Sequence, residues 1–321
     1  MSDIVTVIIT TFKRPELLNR SLTSALHQTY PNVEVIVVDD NNPGSEARKE
    51  TECLIEKNFS KYSNLRYLKM PQNGGACAAR NLGVSEAQGK YIQFLDDDDE
   101  MLPEKVAKQV AVFEADNEHE LSAVGCYGEV VDGDGNHLFD TKDDIRGDVF
   151  YWNMCDIVGV TSQMLIRKST YIESGGFEKM HASQDHWMLI RVFSVNPYYD
   201  YVPETLVKIY HHEGGRISTN SNKPLGAVEL YDKCLPLLER LTDEQAAHVK
   251  LIRNDNIVSA FMRQGRRKEA FKYWRRGISD RSKVSFHDLI ILATIFLGQK
   301  TFGKIVKIVS ETKHTLIKNK V

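Results

Sequence analysis

Four short apolar runs, Val5–Ile9, Val33–Val38, Leu65–Leu68 and Tyr91–Leu95, constrain this chain of 321 residues more than any other feature. Each is followed by a stretch with helical spacing. The first helix opens near Pro15, with Leu17, Leu18, Leu22 and Leu26 on one stripe. The next two suit residues 45–57 and 75–87, and a fourth starts at Pro103. Strands alternating with helices of this length imply βαβ units and a right-handedly wound parallel sheet, an α/β fold. Ligands of such sheets bind beyond the carboxyl ends of the strands. Three of the four strands run into polar clusters there: Thr10-Thr11, Asp39-Asp40-Asn41-Asn42 and Asp96-Asp97-Asp98-Asp99.

From about 120 to 220 the order changes. Val124–Val131 and residues 137–139 flank Asp132-Gly133-Asp134-Gly135-Asn136, which reads as a hairpin turn. The same spacing resembles a calcium loop, but His137 stands where its sixth-position glycine belongs. Beyond 225 the pattern is helical, and residues 260–271 have the look of one tetratricopeptide helix pair. The length allows about two domains. With 42% apolar and 26% charged residues, wholesale disorder and a disulfide scaffold are disfavoured. The net charge of −3 argues against a nucleic-acid binder, but it hides an asymmetry. Residues 281–321 hold eight Lys/Arg and two acids, or +6, against −9 for the remainder. Five scattered cysteines, never spaced C-x-x-C, read as buried reduced thiols. The opening residues carry no leader pattern, and the apolar run Leu289–Leu297 is nine residues where a span needs about 20. A cytoplasmic protein is expected, with at most a peripheral place on the inner face of the cell membrane.

Four successive aspartates need an opposing charge, because like charges a few Å apart raise one another's pKa or recruit a cation. Along an extended strand end, Asp96 and Asp98 would point to the same side, a D-x-D arrangement of hard oxygens suited to Mg²⁺ or Mn²⁺. Asp99 has a second reading, as an acid near the start of the helix at Pro103.

These segments together resemble a family 2 glycosyltransferase of the GT-A fold, inverting and non-processive. The resemblance rests on residues 7–15 (Val-Ile-Ile-Thr-Thr-Phe-Lys-Arg-Pro), 37–41 (Val-Val-Asp-Asp-Asn), 73–83 (from Asn-Gly-Gly to Asn-Leu-Gly) and 91–103. Further on it rests on Gly175-Gly176-Phe177, residues 183–187 and residues 211–218. It covers roughly 4–220. The sequence departs from it at Asp40-Asn41-Asn42, where the family often has Asp-Gly-Ser; Asn is expected to tolerate the same turn. The resemblance implies a Rossmann-like mixed sheet flanked by helices, with a C-terminal all-helical extension. The catalytic domain would be 1–222, and 223–321 a helical domain ending in a basic amphipathic helix.

Carried over by position, it implies that Thr10 and Arg14 line the nucleotide pocket and that Asp40 accepts from the base. Asp96 would orient the ribose or donor, with Arg80 and Asn81 facing the donor sugar and phosphates. Asp98 would ligate the metal, Mn²⁺ or Mg²⁺, with His212 beside it. Arg216 would close over the leaving group, and Asp185 would be the general base. The residue types fit that chemistry independently: a departing diphosphate needs cations, and a hydroxyl nucleophile needs a carboxylate. Asp185 alone as base predicts one displacement and inversion. Its second reading is an N-cap, since Ser183-Gln184-Asp185 opens a helix.

The expected partners are a nucleotide-sugar donor, first of all a UDP-sugar, and a glycan or lipid-linked glycan acceptor of cell-surface polysaccharide biosynthesis. Residues 300–318 place Lys300, Lys304, Lys307, His314 and Lys318 on one stripe and Phe302, Ile305, Val309 and Leu316 on another. Such a helix suits an anionic membrane surface, or equally a face packed on its own domain. Two alternatives are a sugar-1-phosphate nucleotidyltransferase, disfavoured because Val5–Pro15 has no glycine, and a non-catalytic nucleotide-binding adaptor.

Overall fold

The computed structural model describes residues 2–142, 144–211, 221–279 and 286–297. By contact these fall into two compact units: one drawn from Met1–Lys179 and Gln184–Arg216, the other from Met180–Ser183 and Ile217–Val321.

The first unit is built on a mixed sheet. Its centre is β1 (Val5–Thr11), parallel to β2 (Val33–Asp39) on one side and β4 (Tyr91–Asp96) on the other. β3 (Leu65–Lys69) extends the parallel half beyond β2. Past β4 the sheet turns mixed. β9 (Leu165–Arg167) runs antiparallel to both β4 and β6 (Ala123–Asp132), and β10 (Tyr198–His211) runs parallel to β6. The two-residue β5 (Glu100–Met101) pairs antiparallel with β10 at the edge. β7 (His137–Thr141) folds back on β6, and β8 (Gly147–Asp148) pairs with β10.

The four apolar runs are thus the four parallel strands. β2 is buried along its whole length and β1 almost so, the mark of strands covered on both faces by helices. α1 (Pro15–Leu26) has Pro at its first position, where the missing N–H is no loss, and buries Leu18, Leu22 and Ala25. With Val5, Val7, Ile9, Val35 and Val37 they form one side of the core. α2 (Glu46–Leu54) stops short of the expected 45–57 and gives way to a π-turn over Ile55–Phe59. α3 (Ala76–Glu86) and α4 (Lys105–Ala115) complete the first half.

The hairpin expected at 132–136 is present. Asp132 accepts the backbone N–H groups of Asp134 and Asn136 and the side-chain amide of Asn136, so its carboxylate serves the turn. After it come α5 (Phe150–Cys155), α6 (Lys168–Glu173) and α7 (Gln184–Val195). Of the five cysteines, Cys126, Cys155 and Cys234 are buried free thiols as expected, whereas Cys53 is exposed on the outer face of α2.

The second unit is helical: α8 (Lys223–Cys234), a 3₁₀ turn, α9 (Asp243–Arg263), α10 (Arg267–Ser279) and α11 (Phe286–Leu297). Thr242 and Gln245 cap α9 reciprocally, as in a capping box. Gly265, at φ 72°, makes the turn between α9 and α10, so residues 260–271 do form a helix pair. Tyr231, Ile257, Val258, Phe261, Met262, Ala270 and Ile295 supply its core. Among the described residues no helix is long and apolar enough to cross a membrane.

Gly83 shows how tightly α3 lies on the sheet. A Cβ there would sit 2.5 Å from Cγ2 of Ile8 and 3.3 Å from Cγ2 of Val38. Gly83→Ala should therefore overpack the core and destabilise the chain by about 1–3 kcal/mol. Thermal unfolding will read this as a lower Tm, and an unchanged Tm would show that α3 can shift freely.

Candidate active site

The strand register brings the polar clusters level at one edge of the sheet. Thr10 of β1 lies opposite Asp96 of β4 and Val38 of β2, and Thr11 lies opposite Asp39. Asp39 is fully buried and belongs to the scaffold. It forms an ion pair with Arg48, Nε lying 3.1 Å from its carboxylate, and accepts from the Tyr67 hydroxyl at 2.5 Å and from the Asn41 N–H at 2.8 Å. Arg48 also donates to the carbonyls of Asp39, Asn41 and Met70, tying the ends of β2 and β3 together.

Asp40 faces the next loop. Its carboxylate accepts from the Asn73 side chain at 2.9 Å and from the N–H groups of Gly74 and Gly75 at 2.7 and 2.9 Å. Gly75 is the N-cap of α3, so the charge also lies at the positive end of that helix. Asn41 and Asn42 fit the turn without a positive φ. They act through their side chains instead. Asn41 Oδ1 accepts the Lys13 N–H, in a residue held at φ 59°, and Asn42 Oδ1 accepts the Asn73 N–H, both at 2.9 Å.

The aspartate tetrad is a turn rather than an extended strand end, because the Asp99 N–H closes back on the Asp96 carbonyl at 3.1 Å. The expected pair of Asp96 and Asp98 does converge, but through a turn rather than an extended strand, and Asp99 joins it. Oxygens of Asp96, Asp98 and Asp99 lie within 4.8 Å of one another. Asp97 is not part of that group; it is fully buried against Arg14, and burial raises its carboxyl to about 7 despite the arginine. Burial, then the neighbouring Asp96 and Asp98, also holds the Asp99 carboxyl well above the usual range. Asp99 accepts from the Ser162 hydroxyl at 2.6 Å and the Tyr210 N–H at 3.1 Å.

Arginines answer the tetrad. Arg14 reaches Asp97 at 2.5 Å and Asp98 at 3.0 Å. Arg80 on α3 contacts Asp96 at 2.7 Å and Asp185 at 3.5 Å. Burial alone would lower the Arg80 pKa, but the two carboxylates raise it. Asp185 lies in the first turn of α7, one residue past its start, and is not the cap. Its side chain remains 42% exposed. Desolvation by the surrounding protein pushes its pKa up, opposed by Arg80 and reinforced by Asp96.

A family model described as glycosyl transferase family 2 matches residues 6–176. The chain belongs to that family. It is 29% identical over 258 residues to an uncharacterised glycosyltransferase of Rickettsia prowazekii, covering 78% of this chain and 76% of the relative. To an uncharacterised glycosyltransferase of Rickettsia bellii it is 27% identical over 270 residues, 80% of this chain but only 37% of that relative's length. Among solved structures, Staphylococcus aureus TarS 1–349 in complex with UDP-GlcNAc superposes with a TM-score of 0.61 at 17% identity, over 88% of this chain and 76% of that 1–349 chain. The mannosyltransferase PcManGT of Pyrobaculum calidifontis, in complex with GDP-Man and Mn²⁺, gives 0.57 at 15% identity, over 91% and 79%. The fold is thus GT-A, and the chain is a family 2 glycosyltransferase.

Within this glycosyltransferase, the residues marked by sequence divide in three. Thr10, Arg14, Arg80, Asp96, Asp98 and Asp185 gather at the sheet edge. Asp40 and Asn81 hold loops there. Asn81 accepts from the Tyr171 hydroxyl and the Phe177 N–H, at 2.7 and 3.0 Å, and donates to the Phe177 carbonyl at 2.9 Å, so its amide clamps the Gly175-Gly176-Phe177 turn. His212 and Arg216 lie outside the described residues, as do residues 300–318.

Sequence reasoning missed Arg20. It donates to the Asp98 carbonyl at 2.5 Å while lying 3.3 Å over the Tyr210 ring. It sits six residues after Arg14 on α1, a spacing with no motif to mark it.

Asp40→Asn keeps the shape of the loop anchor but replaces an acceptor oxygen with NH₂, facing a backbone N–H it cannot receive. Leaving such a buried donor unmet costs about 1–3 kcal/mol. Hydrogen exchange at Gly74 and Gly75 should accelerate and the Tm should fall; unaltered exchange would show that Asp40 does not anchor the loop.

Proposed function

We propose that the chain moves a sugar from a nucleotide-sugar donor to a hydroxyl of a glycan acceptor in one displacement, inverting the anomeric centre, with a divalent cation. One observation carries this reading: a three-carboxylate cluster and a separate carboxylate, Asp185, stand at the same sheet edge with Arg80 between them. The donor set of Asp96, Asp98 and Asp99 is all hard oxygen, which fits Mn²⁺ or Mg²⁺. When bound, that cation would neutralise charge on the departing diphosphate.

The rest falls to the protein. Thr10, Arg14 and Asp40 belong to the loops that would enclose the nucleotide; Asp40 would act by fixing the loop at Gly74 and Gly75, and Arg14 would answer phosphate charge. Asp185 would take the proton from the acceptor hydroxyl as its oxygen bonds to the anomeric carbon and the diphosphate oxygen leaves. An upward-shifted carboxylate is the stronger base. Arg80 would keep it ionised until the acceptor arrives. With no second carboxylate assigned as nucleophile, a single inverting step follows. The donor of first choice is a UDP-sugar, as in the TarS complex, with a GDP-sugar second, as in PcManGT. The acceptor would be a growing or lipid-linked cell-surface glycan, met in the cytoplasm or at the inner membrane face through residues 300–318. His212 beside the metal and Arg216 over the leaving group complete the assignment. Residues 1–222 would carry catalysis and 223–321 the acceptor or surface.

Ligands that bind only the folded state raise its stability. A Tm rise with UDP or GDP that grows on adding Mn²⁺ is expected; no rise with any nucleoside diphosphate would refute the reading. Asp185→Asn should keep donor binding while transfer falls by roughly 10²–10⁴-fold. Near-normal turnover would remove Asp185 as base. Asp98→Ala should abolish the Mn²⁺-dependent part of the Tm rise, and an unchanged metal effect would exclude Asp98 as a ligand.

A further inference from the structure

We infer that Ser162 is a positioning residue for the cation-binding aspartates, set in place by a buried lysine–glutamine network beneath the site; this rests on the metal reading above. Ser162 is almost fully buried on the 3₁₀ turn Thr161–Gln163. Its hydroxyl donates to Asp99 Oδ2 at 2.6 Å and accepts the Asp96 N–H at 3.4 Å. A hydroxyl has a single proton to give, so the short bond to Asp99 fixes Oγ as the acceptor toward Asp96. One side chain therefore spans both ends of the tetrad turn, leaving further lone pairs on Asp99 for a cation.

The turn itself is held by amides whose orientation is dictated from below. Lys105 is fully buried with no carboxylate partner among the described residues, and its ammonium donates to Gln93 Oε1 and, at 2.7 Å, to Gln109 Oε1. An ammonium has only donors, so both glutamines must turn their oxygens to it and their NH₂ groups away. Gln93 then donates to the carbonyls of Thr161 and Ser162 at 3.3 and 3.2 Å. Gln109 donates to those of Gln163 and Val124 at 2.8 and 2.7 Å. Gln163 in turn donates to the Cys126 carbonyl at 2.7 Å and to Thr141 Oγ1 at 2.9 Å, fastening the turn to β6 and β7. Two buried amides, both oriented by Lys105, thus converge on a three-residue turn, and Ser162 carries the hydrogen bonds from that turn to the tetrad. Burial lowers the Lys105 pKa to about 8, and such a buried ammonium is retained at some cost in solvation. A methionine would fill the same space without that cost but could not orient the two amides.

The test is Mn²⁺ binding to the full chain, followed by electron paramagnetic resonance without nucleotide, alongside circular dichroism and Tm. Removing a hydrogen bond that orients a metal ligand weakens metal affinity about 10–100-fold. Ser162→Ala should bind Mn²⁺ at least about tenfold more weakly than wild type, keep its far-ultraviolet spectrum, and show a higher metal requirement with little change in kcat at saturating Mn²⁺. Lys105→Met should shift Mn²⁺ affinity in the same direction. Wild-type affinity in Ser162→Ala overturns the inference, even if the Tm falls, since a merely structural serine would move Tm alone. Wild-type affinity in Lys105→Met removes the lysine from it. Should the wild type itself bind no Mn²⁺ while nucleotides still raise its Tm, the metal reading fails first and this inference with it.

Discussion

Four carboxylates leave one buried strand in succession, and their mutual repulsion is the constraint to which the neighbouring elements are fitted. At separations near 4 Å even an effective dielectric of 20 leaves about 4 kcal/mol between unit charges. The protein meets this by division. Asp97 and Asp99 are buried, with carboxyls pushed up by burial. Asp96 and Asp98 are less buried and meet Arg80 and Arg14. Because Arg14 precedes α1, Arg20 lies on it and Arg80 comes from α3, the tetrad also fixes how both helices sit against β4. Charge compensation and tertiary packing are here the same contacts.

Around that centre the sheet edge is stitched by polar side chains. Arg48 and Asp39 join β2 to β3, while Asn41 and Asn42 join β2 to the loops before α1 and before α3. Buried ionic groups of this kind are a weak source of net stability, but removing one partner strands the other. What they supply is a defined place for each loop, and a transfer reaction needs its groups positioned to within fractions of an ångström. The strained φ of Lys13 persists because its N–H is held by Asn41. Beneath the site, Lys105 plays the corresponding part for the turn carrying Ser162. Polar atoms replace apolar packing just where the core approaches the chemistry.

How far the sequence announces this depends on whether a residue acts through the chain's periodicity or through a contact distant in sequence. The four apolar runs and their helices repeat with a period, so the parallel half-sheet, α1, α3 and α4 were legible, as was the Asp132–Asn136 hairpin. The convergence of Asp99 was not. Whether the tetrad continues the strand or turns depends on one backbone hydrogen bond, from Asp99 to Asp96, which no pattern of four identical residues encodes. Arg20, Ser162 and Lys105 were silent for a related reason: each acts on at least one residue between 12 and 78 positions away. Asn81 was legible as a member of the motif, but its three partners at Tyr171 and Phe177 make it a clamp on a distant turn. The motif marked the place without revealing which way the amide points.

The pairing of Arg80 with two carboxylates bears on why the proposed base sits at the start of a helix. Near the first turn of α7 the helix dipole favours the ionised form of Asp185, and Arg80 at 3.5 Å does the same. Desolvation and the Asp96 charge oppose them and prevail, leaving the pKa raised. A base needs both tendencies: charge enough to be deprotonated before the acceptor arrives, basicity enough to take a proton when it does. Since Arg80 also holds Asp96, any ligand that draws Asp96 away from the arginine would leave it more fully engaged with Asp185. The proposed donor and acceptor sides would then be coupled through one guanidinium, whose planar fork can address two carboxylates at once, as a lysine's single ammonium cannot.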